Sequence, residues 1–176
     1  MDHIARIETP LGGMLAAADG DALVWLWFEN EEQYNSSLLR GRTGGRPEIF
    51  KMTSEWLHLY FSGRDPGFTP PVALKGSEFE LLVWKALMEI PFGQTATYGE
   101  IASLIERMSG RPSVLPRAVG RTIGRNPISL IIPCHRVIGA DGRLTGYAGG
   151  MWRKERLLAL EGAVISDGIV KGRRET

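Results

Sequence analysis

A segment rich in proline and glycine interrupts the chain between residues 64 and 76. Its sequence, "RDPGFTPPVALKG", carries three prolines and two glycines in a chain of 176 residues. Because proline lacks the backbone N–H that a helix or a central strand needs, such a segment favours a connection between two lobes. We therefore predict an N-terminal α/β lobe over residues 1–70, a C-terminal lobe over residues 71–165 and a polar, frayed tail over residues 166–176.

The first lobe has the pattern of a three-stranded antiparallel sheet with a flanking helix. Three apolar runs in "HIARIETPLGGMLAAADGDALVWLWF" are separated by turn residues such as Pro10 and Gly20. The run at residues 23–28 is almost wholly apolar, which is typical of a strand that is covered on both faces. After a flexible loop at residues 41–47, apolar residues with helical spacing predict a helix over residues 48–61.

The second lobe is predicted to be mainly helical. Two capping boxes, Ser77-x-x-Glu80 and Thr97-x-x-Glu100, each precede an apolar stripe with helical spacing. A shorter helix is predicted over residues 116–125, with a proline in its tolerated first turn. A helix, a short connection and a second helix form a candidate helix-turn-helix, a pattern that many helix pairs share. The predicted fold class is therefore α+β, with a helix-turn-helix and the single cysteine in a mainly α C-terminal lobe.

Basic residues are concentrated in the second lobe. Residues 1–70 have a net charge of −4, residues 71–176 have +5, and residues 107–140 hold six arginines and no acid. Arg117, Arg121 and Arg125 are spaced four apart, so they share one face of the predicted helix. Ala118 and Gly120 lie between them, although glycine in a helix costs about 1 kcal/mol relative to alanine. The pattern favours close approach to a polyanion such as nucleic acid, and a solvated helix face is the alternative.

The only cysteine, Cys134, lies in the segment "IIPCHRVIG". A lone cysteine is usually a small buried apolar residue. Here the preceding isoleucines predict a strand that fixes the backbone, and His135 follows directly, so that a base could raise the population of the reactive thiolate. Glu161, at the end of a leucine-rich helix, could orient such a histidine.

Composition restricts the cellular setting. A single cysteine cannot form an intramolecular disulfide or a cysteine-rich zinc site, so we expect a reducing, cytoplasmic location, no metal and no cofactor. The sequence contains no run of about 18 apolar residues, so we expect no membrane span. The first residues lack the pattern of a secretion signal.

Three segments resemble one family of DNA repair proteins. "NPISLIIPCHRVIG", "TGYAGG" and "RKERLLALEG" are similar to segments of the O6-alkylguanine-DNA alkyltransferases, also called methylated-DNA–protein-cysteine methyltransferases. The resemblance is strong over residues 77–162 and general over residues 1–70, where the lobe is predicted to be ribonuclease H-like. It implies a monomer that binds double-stranded DNA and flips O6-alkylguanine or O4-alkylthymine out of the duplex. The alkyl group would pass irreversibly to Cys134, once per molecule.

The resemblance also implies catalytic roles. Cys134 would accept the alkyl group, His135 would take the thiol proton through a water molecule, and Glu161 would hold the histidine. Asn126, in "NP", would brace the turn that carries the cysteine. Tyr98, in "TYGEIA", would help to rotate the nucleotide and donate a hydrogen bond to the leaving guanine.

Further residues would contact DNA and the flipped base. Arg117, in "RAVG", would fill the gap that the flipped nucleotide leaves in the stack. The rest of the DNA-binding helix would contribute Ala118, Gly120, Arg121 and Arg125. The substrate pocket would be formed by Val137, Tyr147, Ala148 and Lys154.

Some features of the chain depart from the family pattern. Tyr98 and Arg117 are 19 positions apart, a longer turn than in the shorter family members, and Pro116 and Ala148 replace residues that are small or serine in some of them. A non-catalytic alkyltransferase-like binder would lack the cysteine. A cysteine hydrolase would not need an arginine-rich helix, and a fused transcription regulator would need more cysteines.

Overall fold

The first three strands form one antiparallel sheet. In the computed structural model, which describes residues 3–29, 31 and 48–173, β1 (His3–Ile7), β2 (Met14–Asp19) and β3 (Ala22–Phe28) pair in the order β1–β2–β3. Together with the five helices that follow, this sheet confirms the predicted α+β fold class. The loop expected at residues 41–47 lies outside the described residues.

Burial alternates along β3. Leu26 and Phe28 are fully buried, whereas Trp25 and Trp27 are half-buried and stack on each other with ring centroids 5.1 Å apart. Among the described residues, the face that carries the tryptophans is therefore less fully covered than the prediction of a strand buried on both faces implies. Stacking lets the two large apolar side chains shield part of each other's surface.

Helix α1 (Glu48–Phe61) forms over the predicted residues and buries Ile49, Trp56 and Tyr60 among others. The indole nitrogen of Trp56 donates to the carbonyl of Phe68 at 2.9 Å, which fixes the chain beyond the helix end. These elements belong to the first of two compact units, which comprises the described chain up to Lys75 together with Pro127–Ser129.

Two later segments complete this unit along the outer edge of β3. The amide of Leu23 donates to the carbonyl of Pro71 at 2.8 Å, so part of the proline-rich segment pairs with the sheet. The amide of Leu26 donates to the carbonyl of Pro127 at 3.0 Å, and the amide of Ser129 donates back to Leu26 at 2.8 Å. The chain therefore returns to the first unit immediately before the segment that carries the cysteine.

The second unit begins at Gly76 and contains the predicted helix pair. Helix α2 (Glu78–Met88) and helix α3 (Tyr98–Ser109) both start with the reciprocal hydrogen bonds of a capping box, as predicted. Helix α3 ends at Gly110, whose φ of 67° closes the helix in the left-handed region. Helix α4 (Pro116–Ile123) starts at the predicted proline and ends two residues before Arg125.

The end of the second unit is ordered into a hairpin. After β4 (Ala96–Thr97), which pairs in parallel with β5 (Val137–Ile138), and after α5 (Met151–Leu160), strands β6 (Ala163–Ser166) and β7 (Ile169–Arg173) pair antiparallel. The prediction of a frayed tail is wrong over this hairpin, because its apolar side chains pack on a small core of Ile138, Leu158 and Ala163. Residues 174–176 lie outside the described residues.

None of the helices in the described ranges is long and apolar enough to span a membrane.

Candidate active site

A sharp change of chain direction presents Cys134. Leu130 has a φ of 72°, a turn follows, and Cys134 opens a short 3₁₀ helix that runs to Arg136. The prediction of a continuous strand before the cysteine is therefore wrong. The left-handed residue breaks an extended chain, and Pro133 has no N–H to donate to a sheet ladder.

The side chain of Asn126 holds the cysteine and its turn together. Its amide nitrogen donates to the carbonyl of Ile132 at 2.8 Å and to the sulfur of Cys134 at 2.9 Å. Asn126 is 3% exposed and Cys134 is 7% exposed, so both bonds lie in a largely water-excluded place. An N–H that points at a sulfur favours the thiolate over the thiol, since the charged form is the better acceptor.

His135 is fully buried and bound to Glu161. Its Nε2 lies 2.7 Å from Oε1 of Glu161. The same carboxylate accepts from Nε of Arg136 at 2.9 Å and from the backbone N–H of Gly93 at 2.9 Å. Arg136 is anchored in turn by donating to the carbonyl of Ile90 at 2.7 Å. The structure thus brings the predicted His135 and Glu161 together and adds an arginine to them.

These contacts fix the charge states at neutral pH. Burial alone would raise the pKa of Glu161, but His135 and Arg136 outweigh it and lower the pKa to about 2. Burial lowers the pKa of His135 below its usual value, against the opposing effect of Glu161. Glu161 is therefore an anion that can only accept, so Nε2 of neutral His135 carries the hydrogen and Nδ1 is the basic nitrogen.

Lys154 carries a buried ammonium group that contacts the backbone near Cys134. Nζ of Lys154 donates to the carbonyls of Val137 at 2.6 Å and Thr145 at 2.7 Å. Burial lowers the pKa of Lys154 to about 8, and a negative charge on Cys134 would oppose this shift. By the same attraction, the ammonium would favour the ionised form of the thiol.

Tyr98 is held by two contacts. Its hydroxyl is 2.7 Å from Oγ1 of Thr145, and a Cβ added at Gly120 would lie 3.4 Å from its ring. The close approach that we predicted from the glycine in α4 is thus, in part, an approach to this tyrosine. Helix α4 and the start of α3 are fixed against each other at this point.

The other residues predicted to form the substrate pocket are Tyr147, Val137 and Ala148. The ring of Tyr147 meets the ring of His135 edge to face, with centroids 6.5 Å apart. The amide of Val137 donates to the carbonyl of Cys134, and Val137 is fully buried. Ala148 is exposed, next to Tyr147.

The predicted DNA-binding residues lie on or beside α4. Arg117 and Arg121 are exposed, Ala118 is half-buried, and the helix contains no acid. Arg125 follows the helix, and its guanidinium lies 3.4 Å from the carboxylate of Glu80. Arg136, which we counted with the basic block, is buried and bound to Glu161, so the basic surface is smaller than the sequence indicates.

Several residues of the site were missed by the sequence reasoning. Arg136 had a signal, since a charged residue in an apolar segment needs a buried partner. Thr145 and Gly93 gave no signal, because their contacts depend on residues far away in the chain. Among the residues that the structure describes, no cluster of histidine, cysteine and carboxylate side chains could hold a metal ion.

The sequence matches known proteins of one family. Residues 78–163 match the family model described as 6-O-methylguanine DNA methyltransferase, DNA binding domain. The chain is 42% identical to a methylated-DNA–protein-cysteine methyltransferase of Methanosarcina acetivorans, over 92% of this chain and 99% of that protein. It is 44% identical to the protein of the same name from Mycobacterium tuberculosis, over 92% and 93%.

Solved structures agree with the sequence matches. The crystal structure of Mycobacterium tuberculosis OGT in complex with DNA has a TM-score of 0.77, with 42% identity over 90% of this chain and 92% of that one. An O6-methylguanine DNA methyltransferase from Methanococcus jannaschii has a TM-score of 0.63, with 29% identity over 89% and 92%. The chain therefore belongs to the family of methylated-DNA–protein-cysteine methyltransferases.

Proposed function

We propose that this protein repairs DNA by moving an alkyl group from O6 of guanine, and from O4 of thymine, to Cys134. The observation that carries the proposal is the arrangement of Asn126, Cys134, His135 and Glu161, in which a buried sulfur accepts an amide N–H and the next residue is a neutral, oriented histidine. A sulfur that only packed in a core would need neither the amide nor the base.

The reaction begins with the thiol proton. Nδ1 of His135 takes it, through a water molecule, and the imidazolium that forms is stabilised by Glu161 at 2.7 Å. Arg136 keeps Glu161 ionised, and the Asn126 amide and the Lys154 ammonium stabilise the thiolate.

The thiolate then displaces guanine from the alkyl carbon. The S–C bond forms as the C–O6 bond breaks, and the electron pair of that bond moves onto guanine O6 and its ring. The hydroxyl of Tyr98, held by Thr145, donates a hydrogen bond to the guanine, and the proton that left the thiol restores neutral guanine. The product is a thioether, from which no group leaves readily, so each molecule reacts once.

Base flipping follows from where the alkyl carbon lies. An O6-alkyl group cannot reach a buried sulfur while its base is stacked in a duplex, so the nucleotide has to rotate into the protein. Arg117, exposed in the first turn of α4, fills the vacated place, and Arg121 contacts the backbone phosphates. Tyr147 and Lys154 border the pocket that receives the base, and backbone groups of Cys134 and Val137 read its edge. The protein acts as a monomer.

Mass spectrometry on a duplex that contains O6-methylguanine tests the proposal. We expect a gain of one methyl group, located on the peptide that contains Cys134. A Cys134→Ser variant is the matched control, which should bind the same duplex and gain no mass. An unmodified wild-type protein that retains the DNA would make the chain a binder of damaged DNA instead of a transferase.

A further inference from the structure

We infer that Arg173, the last residue of β7, is a positioning residue for the pair of Glu161 and His135; this inference rests on the function proposed above. Its Nη2 donates to the backbone carbonyl of Glu161 at 3.1 Å. Glu161 caps the C-terminus of α5, where carbonyls lack partners within the helix and a cation is favourable. The guanidinium therefore holds the backbone of the residue whose carboxylate orients His135.

The guanidinium also covers Gly93. A Cβ added at Gly93 would collide with the guanidinium of Arg173 and would lie 2.9 Å from the carbonyl oxygen of Glu161. Gly93 has a φ of 74°, and its N–H donates to the carboxylate of Glu161 at 2.9 Å. Arg173 and Gly93 thus enclose Glu161 from two sides, one at its backbone and one at its side chain.

The hairpin that carries Arg173 is anchored to the loop on the substrate side. The amide of Leu144 donates to the carbonyl of Gly168 at 2.8 Å, and the amide of Val170 donates to the carbonyl of Gly142 at 2.9 Å. The next residue in that loop is Thr145, which contacts Tyr98 and Lys154. The hairpin therefore fixes both the loop that carries Thr145 and the residue Glu161, whose carboxylate binds His135.

The first test is the rate at which Arg173→Ala takes the alkyl group from free O6-benzylguanine, a substrate that needs no DNA contact. We expect the rate to fall by about two- to fivefold, the size of a lost charge contact at a helix C-terminus. The limb of the pH–rate profile on which His135 loses its proton should move to lower pH, because a less firmly held Glu161 stabilises the imidazolium less and so lowers the pKa of His135. Lys171→Ala, two residues earlier on the same strand and also exposed, is the control and should change neither quantity. Arg173→Lys should restore part of the rate.

A double-mutant cycle separates positioning from general stability. In a Glu161→Gln background the Arg173→Ala change should no longer affect the rate, because its route of action is absent. An undiminished effect in that background, or an unchanged rate and pH profile in Arg173→Ala alone, would overturn the inference. A wild-type protein that does not react with O6-benzylguanine would instead count against the proposed function.

Discussion

One amide group serves two acceptors at the centre of the site. Asn126 donates to a carbonyl that shapes the turn and to the sulfur that the turn presents. Structure and reactivity therefore depend on the same side chain, and both should change when it is removed.

Replacement of Asn126 by alanine should raise the pKa of the Cys134 thiol, because the thiolate loses a hydrogen bond. The carbonyl of Ile132 would also lose its donor, at a cost of about 1–3 kcal/mol in the free energy of unfolding. The pH dependence of the reaction with iodoacetamide measures the first effect, and urea unfolding measures the second. Arg117→Ala is the control, since it should leave both values at those of the wild type. An unmoved midpoint would show that the amide does not act on the sulfur.

The carboxylate of Glu161 should make the fold sensitive to acid. Its pKa is lowered from 4.5 to about 2, so the unfolded chain binds the proton first and stability is lost as the pH falls through this window. The glutamine in Glu161→Gln does not titrate, so the difference in the free energy of unfolding between wild type and variant should shrink as the pH falls from 4.5 towards 2. Urea unfolding at a series of pH values measures this difference. Glu155→Gln, on the exposed side of α5, should keep the wild-type slope, and a constant gap for Glu161→Gln would contradict the prediction.

One side of helix α4 packs against the rest of its unit, and the other side carries exposed arginines. Gly120 and the buried Val119 pack towards the unit, with Gly120 against Tyr98, whereas Arg117 and Arg121 are exposed. The helix can therefore lose an outward arginine without losing its packing, so the proposed DNA contacts can be tested by mutation.

Arg117→Ala should slow alkyl transfer from duplex DNA far more than transfer from free O6-benzylguanine. The reason is that only the duplex needs a side chain to replace the flipped nucleotide. Rates on the two substrates, measured by loss of active protein, give the comparison. Arg121→Ala, one turn along the same helix, should weaken duplex binding. At a saturating concentration of duplex, however, it should not slow transfer from the duplex more than transfer from free O6-benzylguanine. An equal loss on both substrates for Arg117→Ala would refute the flipping role.

Local signals in the sequence predicted the elements of the second unit well. Ser77 with Glu80, and Thr97 with Glu100, form their capping bonds within four residues, so these helix starts depend on little else. The turn at Leu130 could not be predicted in this way, because a leucine with positive φ is stabilised only by distant parts of the fold.

Negative and positive net charge lie in different parts of the sequence. The first 70 residues carry a net −4 and the rest +5, although the total is only +1. Binding to DNA should therefore depend on a few exposed arginines and not on a general basic surface.

This charge distribution predicts a shallow salt dependence of DNA affinity. With roughly three exposed arginines near α4, the slope of log affinity against log salt should be about −2 to −3, and Arg121→Ala should reduce its size by about 1. Fluorescence anisotropy of an undamaged duplex at several salt concentrations gives this slope. Lys51→Ala, an exposed lysine of the first unit, should leave it unchanged. A slope near zero, or one as steep as that of a strongly basic protein, would be inconsistent with this view.

Contacts between distant segments account for what the sequence could not reveal. The pairing of Pro127–Ser129 with β3, the burial of Arg136 against Glu161 and the contact of Arg173 with the same residue each join positions that no local pattern connects. His135 and Glu161 are in contact, as the family resemblance indicated. The spacing of the two residues in the sequence could not have predicted this pair.

The solitary thiol has a consequence for the lifetime of the protein under oxidation. A sulfenic acid formed at Cys134 would find no second cysteine in the chain with which to close a protective disulfide. Further oxidation to sulfinic or sulfonic acid would consume the proposed acceptor as completely as an alkyl group would. With 7% of the residue exposed, burial limits the access of peroxide to the sulfur. The seclusion of Cys134 therefore determines how long an unused molecule keeps its capacity to react.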